Sequence, residues 1–342
     1  MPRIVVVSVP ATGPAEGPIE KPGRSKMRQL RTHLQTVLAS LGIGGGLVLI
    51  PLLPRAAVVG MARVLGDAAF LLLGGLRRVA LANLDVAFGE TTSQDRKRAI
   101  VRQSFRNAAL LGLDAFWFAV FCRRRLRRYV HFDSTLDPLF REHPLIVITG
   151  HFGNWEAAGL ALAAAGAPLV SVAAPLKIAP ADAFVNWTRR RTGQAIVFRR
   201  GALRALIRTL RSGGRVALLL DQNTSPRKGG IFVPFFGLPA PVSAAPALLA
   251  ARTGAPVMLA YTLPTGRGHY RVYGSPPVWF DATASSEVEI TADIMARLER
   301  IIRQRPEHWM WMYKRWKYVV AEHGREGYPY YARHRAAASR RG

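Results

Sequence analysis

The residues best suited to chemistry are concentrated in Gly150–Glu156, the segment GHFGNWE. LIVIT, residues 145–149, has the uniform apolar character of a buried strand, and a helix is predicted from Gly153 to the glycine stop at Gly166. His151 therefore falls in a strand-to-helix turn and Glu156 in the first helical turn. Ligand and catalytic groups of open α/β sheets gather where strands end. A carboxylate held against one imidazole nitrogen fixes the tautomer and stabilises the imidazolium, leaving the other nitrogen to take a proton. The spacing lets Glu156 reach back to His151 in that role. A capping pair, with Glu156 near the positive end of the helix, uses the same two residues. On spacing alone that structural use is the commoner one.

The rest of the chain narrows the choice. It contains no Gly-x-Ser-x-Gly elbow, no phosphate-binding loop ending in Gly-Lys-Ser/Thr and no His-Glu-x-x-His. GIGGGL has Leu47 where a dinucleotide fingerprint needs glycine, and it follows no strand. The single cysteine, Cys122, excludes an intrachain disulfide and a cysteine-built zinc site; between Phe121 and Arg123 it reads as structural. No metal or cofactor is expected. A histidine–carboxylate pair without a protein nucleophile suits a base that activates a substrate hydroxyl directly.

The elements that must position this turn follow a strand–helix rhythm from Pro144. Strands are predicted at 145–149, 168–174, 195–198, 215–221 and 255–263, with HYRVYG (269–274) as an edge strand. Helices are predicted at 181–192, 201–214, 243–254 and 285–305, and upstream at Thr91–Phe121. Alternation of this kind implies an α/β fold, a mostly parallel sheet flanked by helices. Asp221 ends the fourth of these strands and reads as a strand-end turn residue. Arg189, Arg190 and Arg191 end a helix. The run Arg123, Arg124, Arg125, Arg127, Arg128 reads as a solvated helix end or a phosphate-facing patch.

The chain has 342 residues, of which 49% are hydrophobic, enough for a large core. The formal net charge is +27, so anionic partners are expected, although some of this surplus is that of any arginine-rich protein. Residues 1–26 read as a disordered lead without signal-peptide order. Residues 27–80 read as an apolar helical membrane-attachment region. Within it Val37–Leu53 is near the lower length limit for a span, and four glycines and Pro51 make it a poor continuous helix. Monotopic insertion, a span and a hairpin packed on the domain all remain open. A catalytic domain is expected over 81–320 and a basic tail over 321–342.

GHFGNWE, DQN (221–223), FVPFFG (232–237) and PEHWMWMYKRWK (306–317), with RRVALANLDVAFGE upstream, resemble in order and spacing the bacterial lipid A biosynthesis acyltransferase family, which includes phosphatidylinositol mannoside acyltransferases. The resemblance runs from about Leu30 to Tyr318. It implies a glycerolipid acyltransferase-like fold. It also implies transfer of an acyl chain from an acyl carrier protein or coenzyme A thioester to a hydroxyl of an anionic glycolipid, a lipid A precursor or another lipid acceptor. His151 matches the catalytic base, Glu156 its acidic partner and Asp221 an acidic site position. Arg189 and Arg191, out of three candidates, would bind phosphate or glycan, and Asn154 and Gln222 would line the substrate site. The expected location is the cytoplasmic face of the inner membrane. For Trp309, Trp311 and Trp316 core packing is the favoured reading, with a lipid interface beside Lys314, Arg315 and Lys317 as the alternative. Two other classes compete: a nucleic-acid-binding protein, disfavoured by the apolar N-terminal region and the lack of any nucleic-acid motif, and a non-catalytic membrane scaffold.

Overall fold

The structure, a computed structural model, describes residues 22–334 apart from 177, 199–200, 226–227, 282 and 321–323. The N-terminal helices are α1 (Pro22–Leu49), α2 (Arg55–Leu72), α3 (Gly74–Phe88), α4 (Gln94–Trp117) and α5 (Cys122–Tyr129). Next come β1 (Val130–Phe132), α6 (Asp137–Arg141), β2 (Leu145–Thr149), α7 (Trp155–Ala164), β3 (Val170–Ala173), α8 (Ala179–Thr192), β4 (Ala195–Phe198), α9 (Ala202–Arg211) and β5 (Arg215–Leu219). The chain continues through β6 (Gly230–Phe235), β7 (Leu238–Ser243), α10 (Ala245–Thr253), β8 (Val257–Gly266), β9 (His269–Gly274), α11 (Glu287–Gln304), β10 (Tyr318–Val319) and β11 (Arg333–His334).

The main sheet has seven strands in the order β1-β9-β8-β2-β5-β3-β4. Its neighbours are parallel except β8 and β9. The expected mostly parallel, helix-flanked sheet is thus present. One detail differs: HYRVYG is not an edge, because β1 pairs along its outer side in the register Val130↔Tyr270. The short strand VHF after the arginine run gave no alternation from which to foresee this.

Strand β2 is apolar throughout because both of its faces are covered. Ile146 and Ile148 enter a layer with Leu206, Leu249, Ile294 and Leu298 of α9, α10 and α11. Leu145 and Val147 enter the opposite layer with Leu126 of α5 and Ala157, Ala158 and Ala161 of α7. The first layer is filled by bulky side chains. The second is faced by α7, sequence WEAAGLALAA, whose small residues leave room between helix and sheet.

The apolar run at the start is one continuous helix to Leu49, against expectation. Pro51 falls beyond its end, in a short 3-10 turn whose first residues need no N–H, so it interrupts nothing. Gly46 is where α1 meets α4: a Cβ there would lie 2.7 Å from the Phe116 ring. Helices α2 and α3 meet at 89°. The expected boundary at residue 80 falls inside α3, whose Ala80 and Leu84 belong to the main core. Residues 1–21 of the expected lead, and 321–323 and 335–342 of the expected tail, lie outside the described residues.

The tryptophan cluster is core. Trp309, Trp311 and Trp316 are buried, and each indole N–H has an acceptor: Asp221 Oδ2 (2.8 Å), Pro306 O (2.6 Å) and Phe235 O (3.2 Å). Arg315 is buried with them, its Nη1 donating to Asn223 Oδ1 (2.8 Å). That part of the segment therefore lies inside the protein and not at a lipid interface.

Candidate active site

Strands β2 and β5 are parallel neighbours in the register Thr149↔Leu219, and Leu220 N continues the ladder to Thr149 O at 3.0 Å. Two residues past that pair, the strand ends bring His151 and Asp221 together. His151 Nδ1 lies 2.8 Å from Asp221 Oδ1, and the His151 backbone N–H donates to Asp221 Oδ2 at 2.7 Å. Trp309 Nε1 donates to the same Oδ2. Gly150 permits the approach: a Cβ there would stand 3.1 Å from Asp221 Oδ2. An ionised carboxylate only accepts, so Nδ1 carries the ring proton and Nε2 holds the free lone pair. Gln222 Nε2 lies 3.1 Å from that nitrogen.

Electrostatics favour an ionised carboxylate beside a basic imidazole. Burial disfavours the His151 cation, but the adjacent Asp221 charge and hydrogen bond outweigh it, with Glu156 adding to them, so proton affinity is raised above the ordinary value. Burial alone would raise Asp221; the charge and hydrogen bonds of His151 and the Trp309 N–H hold it below the usual carboxylate range. A base that must be neutral to act loses activity as pH falls through its pKa. The acidic limb of kcat/KM is therefore expected to have a midpoint above about 6.5. A pH–rate profile measures this, and a midpoint below 6 would contradict the pairing.

The carboxylate partner is thus Asp221, and the expected His151–Glu156 contact is corrected. Glu156 accepts instead from Arg189, Nε to Oε2 at 3.0 Å and Nη2 to Oε1 at 2.5 Å. Arg189 reaches inward from α8, and Arg190 is exposed. Arg191 turns away from the site: its Nη1 donates to Ala119 O (3.0 Å) and its guanidinium lies over Trp187 (4.8 Å). Asn154, expected to line the substrate site, has its side chain committed to structural hydrogen bonds. It is buried, its Oδ1 caps α7 at Ala157 N (2.9 Å) and its Nδ2 donates to Asp114 Oδ2 (2.7 Å).

Asp114 belongs to a buried group that sequence reasoning missed. Arg55 of α2 makes a two-point ion pair with it, and Tyr270 Oη donates to its Oδ2 at 2.6 Å. Arg55 also donates to Gly268 O from Nε (3.0 Å) and Nη2 (2.8 Å). The sequence signal was slight: Asp114 sits in the apolar C-terminal half of α4 and Arg55 just before an apolar block, where a charge implies a partner.

Two concavities meet at Trp155, and His151 lines the smaller of them. An apolar cleft of about 650 Å³ runs beneath α7 across the sheet, with Thr149, Trp155, Glu156 and Arg189 at one end. A second, of about 230 Å³, is lined by His151, Trp155, Asn107 and His308. Trp155 borders both and meets the His151 ring edge-on at 4.7 Å. The turn amides beside the imidazole are committed: Phe152 N to Gly150 O (2.8 Å), Gly153 N to His308 O (2.8 Å) and His151 N to Asp221.

Gly153 adopts φ +59°, and a Cβ there would lie 1.9 Å from Thr262 O on β8. Gly153→Ala is therefore expected to destabilise the protein by roughly 2–3 kcal/mol, from left-handed strain and overlap with backbone that cannot swing away. Denaturant unfolding would measure the loss, and an unchanged midpoint would contradict it.

Comparison with known proteins places the chain beside lipid acyltransferases. The family model described as bacterial lipid A biosynthesis acyltransferase matches residues 24–318. The lipid A biosynthesis lauroyltransferase of Escherichia coli is 24% identical over 296 residues, covering 83% of this chain and 93% of that protein. The lipid A biosynthesis palmitoleoyltransferase of the same organism is 24% identical over 251 residues, 70% and 78% of the two chains. The phosphatidylinositol mannoside acyltransferase of Mycobacterium tuberculosis is 28% identical over 178 residues, 50% and 54%.

Proposed function

The chain belongs to the bacterial lipid A biosynthesis acyltransferase family, and we propose that it moves a fatty acyl chain from an acyl thioester to a hydroxyl of an anionic glycolipid, with His151 as general base. It is an O-acyltransferase with a lipid acceptor. One observation carries the finer reading: Nδ1 of His151 is held on buried Asp221, and its ring lines the smaller concavity beside Trp155, which also borders the apolar cleft.

In this reading His151 Nε2 takes the acceptor hydroxyl proton as the oxygen attacks the thioester carbonyl. The tetrahedral intermediate collapses, the carbon–sulfur bond breaks, and the departing thiolate takes the proton from the imidazolium. Gln222 must give up its place at Nε2 to the incoming hydroxyl. The acyl chain lies in the apolar cleft. Arg189, fixed by Glu156, faces the developing oxyanion or an acceptor phosphate. With the amides of His151, Phe152 and Gly153 already bonded, that task falls to this side-chain cation or to the first-turn amides of α7.

Attachment to a membrane surface is supported by residues 33–52, a helical stretch long and apolar enough to cross a membrane. Leu38, Leu41, Val48 and Leu52 are exposed on it. Arg123, Arg124, Arg127 and Arg128 are exposed on α5, a charge pattern that suits lipid phosphates. Arg125 is structural, donating to Pro51 O (2.6 Å) and lying over Trp117 (4.1 Å).

The test offers purified protein a dodecanoyl thioester, on acyl carrier protein or coenzyme A, with a lipid A precursor or a phosphatidylinositol mannoside. Thiol release that requires one acceptor, with an ester product by mass spectrometry, is expected. Thiol release indifferent to acceptor would overturn acyl transfer to a glycolipid.

A further inference from the structure

The cleft beneath α7 is walled mainly by carbon: Val147, Leu162, Leu169, Val172, Ile196 and Leu219. Among the polar side chains of that wall, two lie together on its α8–β3 side. Gln194, 9% exposed, follows the glycine that ends α8, and Ser171, 8% exposed, lies on β3. Gln194 Nε2 donates to Ser171 Oγ at 3.3 Å, and its Oε1 has no hydrogen-bond partner among the described residues. Gly159 of α7 admits the amide: a Cβ there would lie 3.0 Å from Nε2. A buried amide with one free end is a standing cost in a folded protein, and plain hydrocarbon filling the cleft would leave it unrelieved.

Building on the reading of this cleft as the acyl site, we propose that the Gln194–Ser171 pair is a specificity subsite for an acyl chain bearing a hydroxyl far from its carbonyl. The hydroxyl is the group that fits. It donates or accepts, so it satisfies the free end of Gln194 whichever way the amide is turned. A charged group would meet only neutral partners at the pair itself, an amide and a hydroxyl.

The position follows from strand register. Ser171 pairs with Ala217, and Ala217 with Val147, so Ser171 is level with Val147 and two strands across. That is about 7 Å down the strands from Thr149 and about 10 Å sideways. His151 lies beyond Thr149 in the opposite direction. A hydroxyl next to the thioester cannot reach the pair; one well along the chain can.

The experiment is competition for a fluorescent fatty acid bound to the full-length protein, using dodecanoic acid and its isomers hydroxylated at successive carbons. One distal isomer is expected to displace the probe at roughly tenfold lower concentration than the plain acid or the isomers hydroxylated beside the carboxyl. In Gln194→Leu the order reverses in favour of the plain acid. Gln194→Glu, if it folds, loses both, because it places a charge in the wall. Equal potency of all isomers, or an advantage that survives in Gln194→Leu, overturns the subsite alone. If none of the acids displaces the probe, the acyl assignment of the cleft falls with it. Normal displacement without any acyl transfer would overturn the reaction and leave the subsite standing.

Discussion

Asp221→Asn is expected to lower kcat for acyl transfer about 10³- to 10⁴-fold while the protein stays folded. The carboxylate accepts two N–H groups on Oδ2, from the His151 backbone and the Trp309 indole. Asparagine must therefore place its oxygen there and turn its NH₂ toward His151 Nδ1. An N–H in that position forces the ring proton onto Nε2, where the lone pair for the substrate hydroxyl is needed. The imidazole also loses the neighbouring charge that opposed its burial, so proton affinity falls. His151→Ala is expected to lose at least as much, and the double variant little more, since the two residues act as a unit. Single-turnover kinetics with matched unfolding curves would measure this. An Asp221→Asn enzyme within tenfold of the parent would rule out the dyad.

Arg55→Ala is expected to cost about 3–5 kcal/mol of stability, because it leaves the Asp114 carboxylate buried without its cation. Tyr270 and Asn154 still donate to that carboxylate, but neither carries charge. The loss should extend to several elements, since Arg55 ties α2 to α4 and to the β8–β9 turn at Gly268. Arg55→Met with Asp114→Leu removes both charges and should cost clearly less than Arg55→Ala alone. Denaturant midpoints in detergent would decide; equal losses in the single and double variants would mean the ion pair contributes only its packing volume.

The contrast between these two sites shows what one sequence can reveal. The turn around His151 was legible because LIVIT and GNWEAAGLALAAAG are local patterns: one uniform apolar strand and one capped helix. The identity of its carboxylate partner was not. Glu156 is near in sequence, but it lies within reach of Arg189, whereas Asp221 is 70 residues away and adjacent only because β5 pairs with β2. Strand order is a property of the whole fold, and a single strand carries no mark of its neighbour. HYRVYG was misjudged as an edge for the same reason. Three consecutive arginines, 189–191, carry no mark of which one the resemblance implies, and the side chain that reaches the site is set by helix phase. Arg55 and Asp114 stand 59 residues apart, one beside an apolar block and one in a helix read only for its periodicity. Glycines 42–46 argued against a continuous helix, yet local propensity is a weak prior over so long an apolar stretch.

The unequal filling of the two sheet faces has a consequence for how such a chain can change. On the Ile146 and Ile148 side, interlocked large side chains meet their neighbours closely, so most substitutions there lower stability. On the Val147 and Ala217 side, alanine, glycine and serine border open space, so an added methyl fills cleft volume before it strains the fold. Variation in what the cleft accepts is therefore mutationally accessible in single small steps, insulated by the sheet from the side that keeps the protein folded.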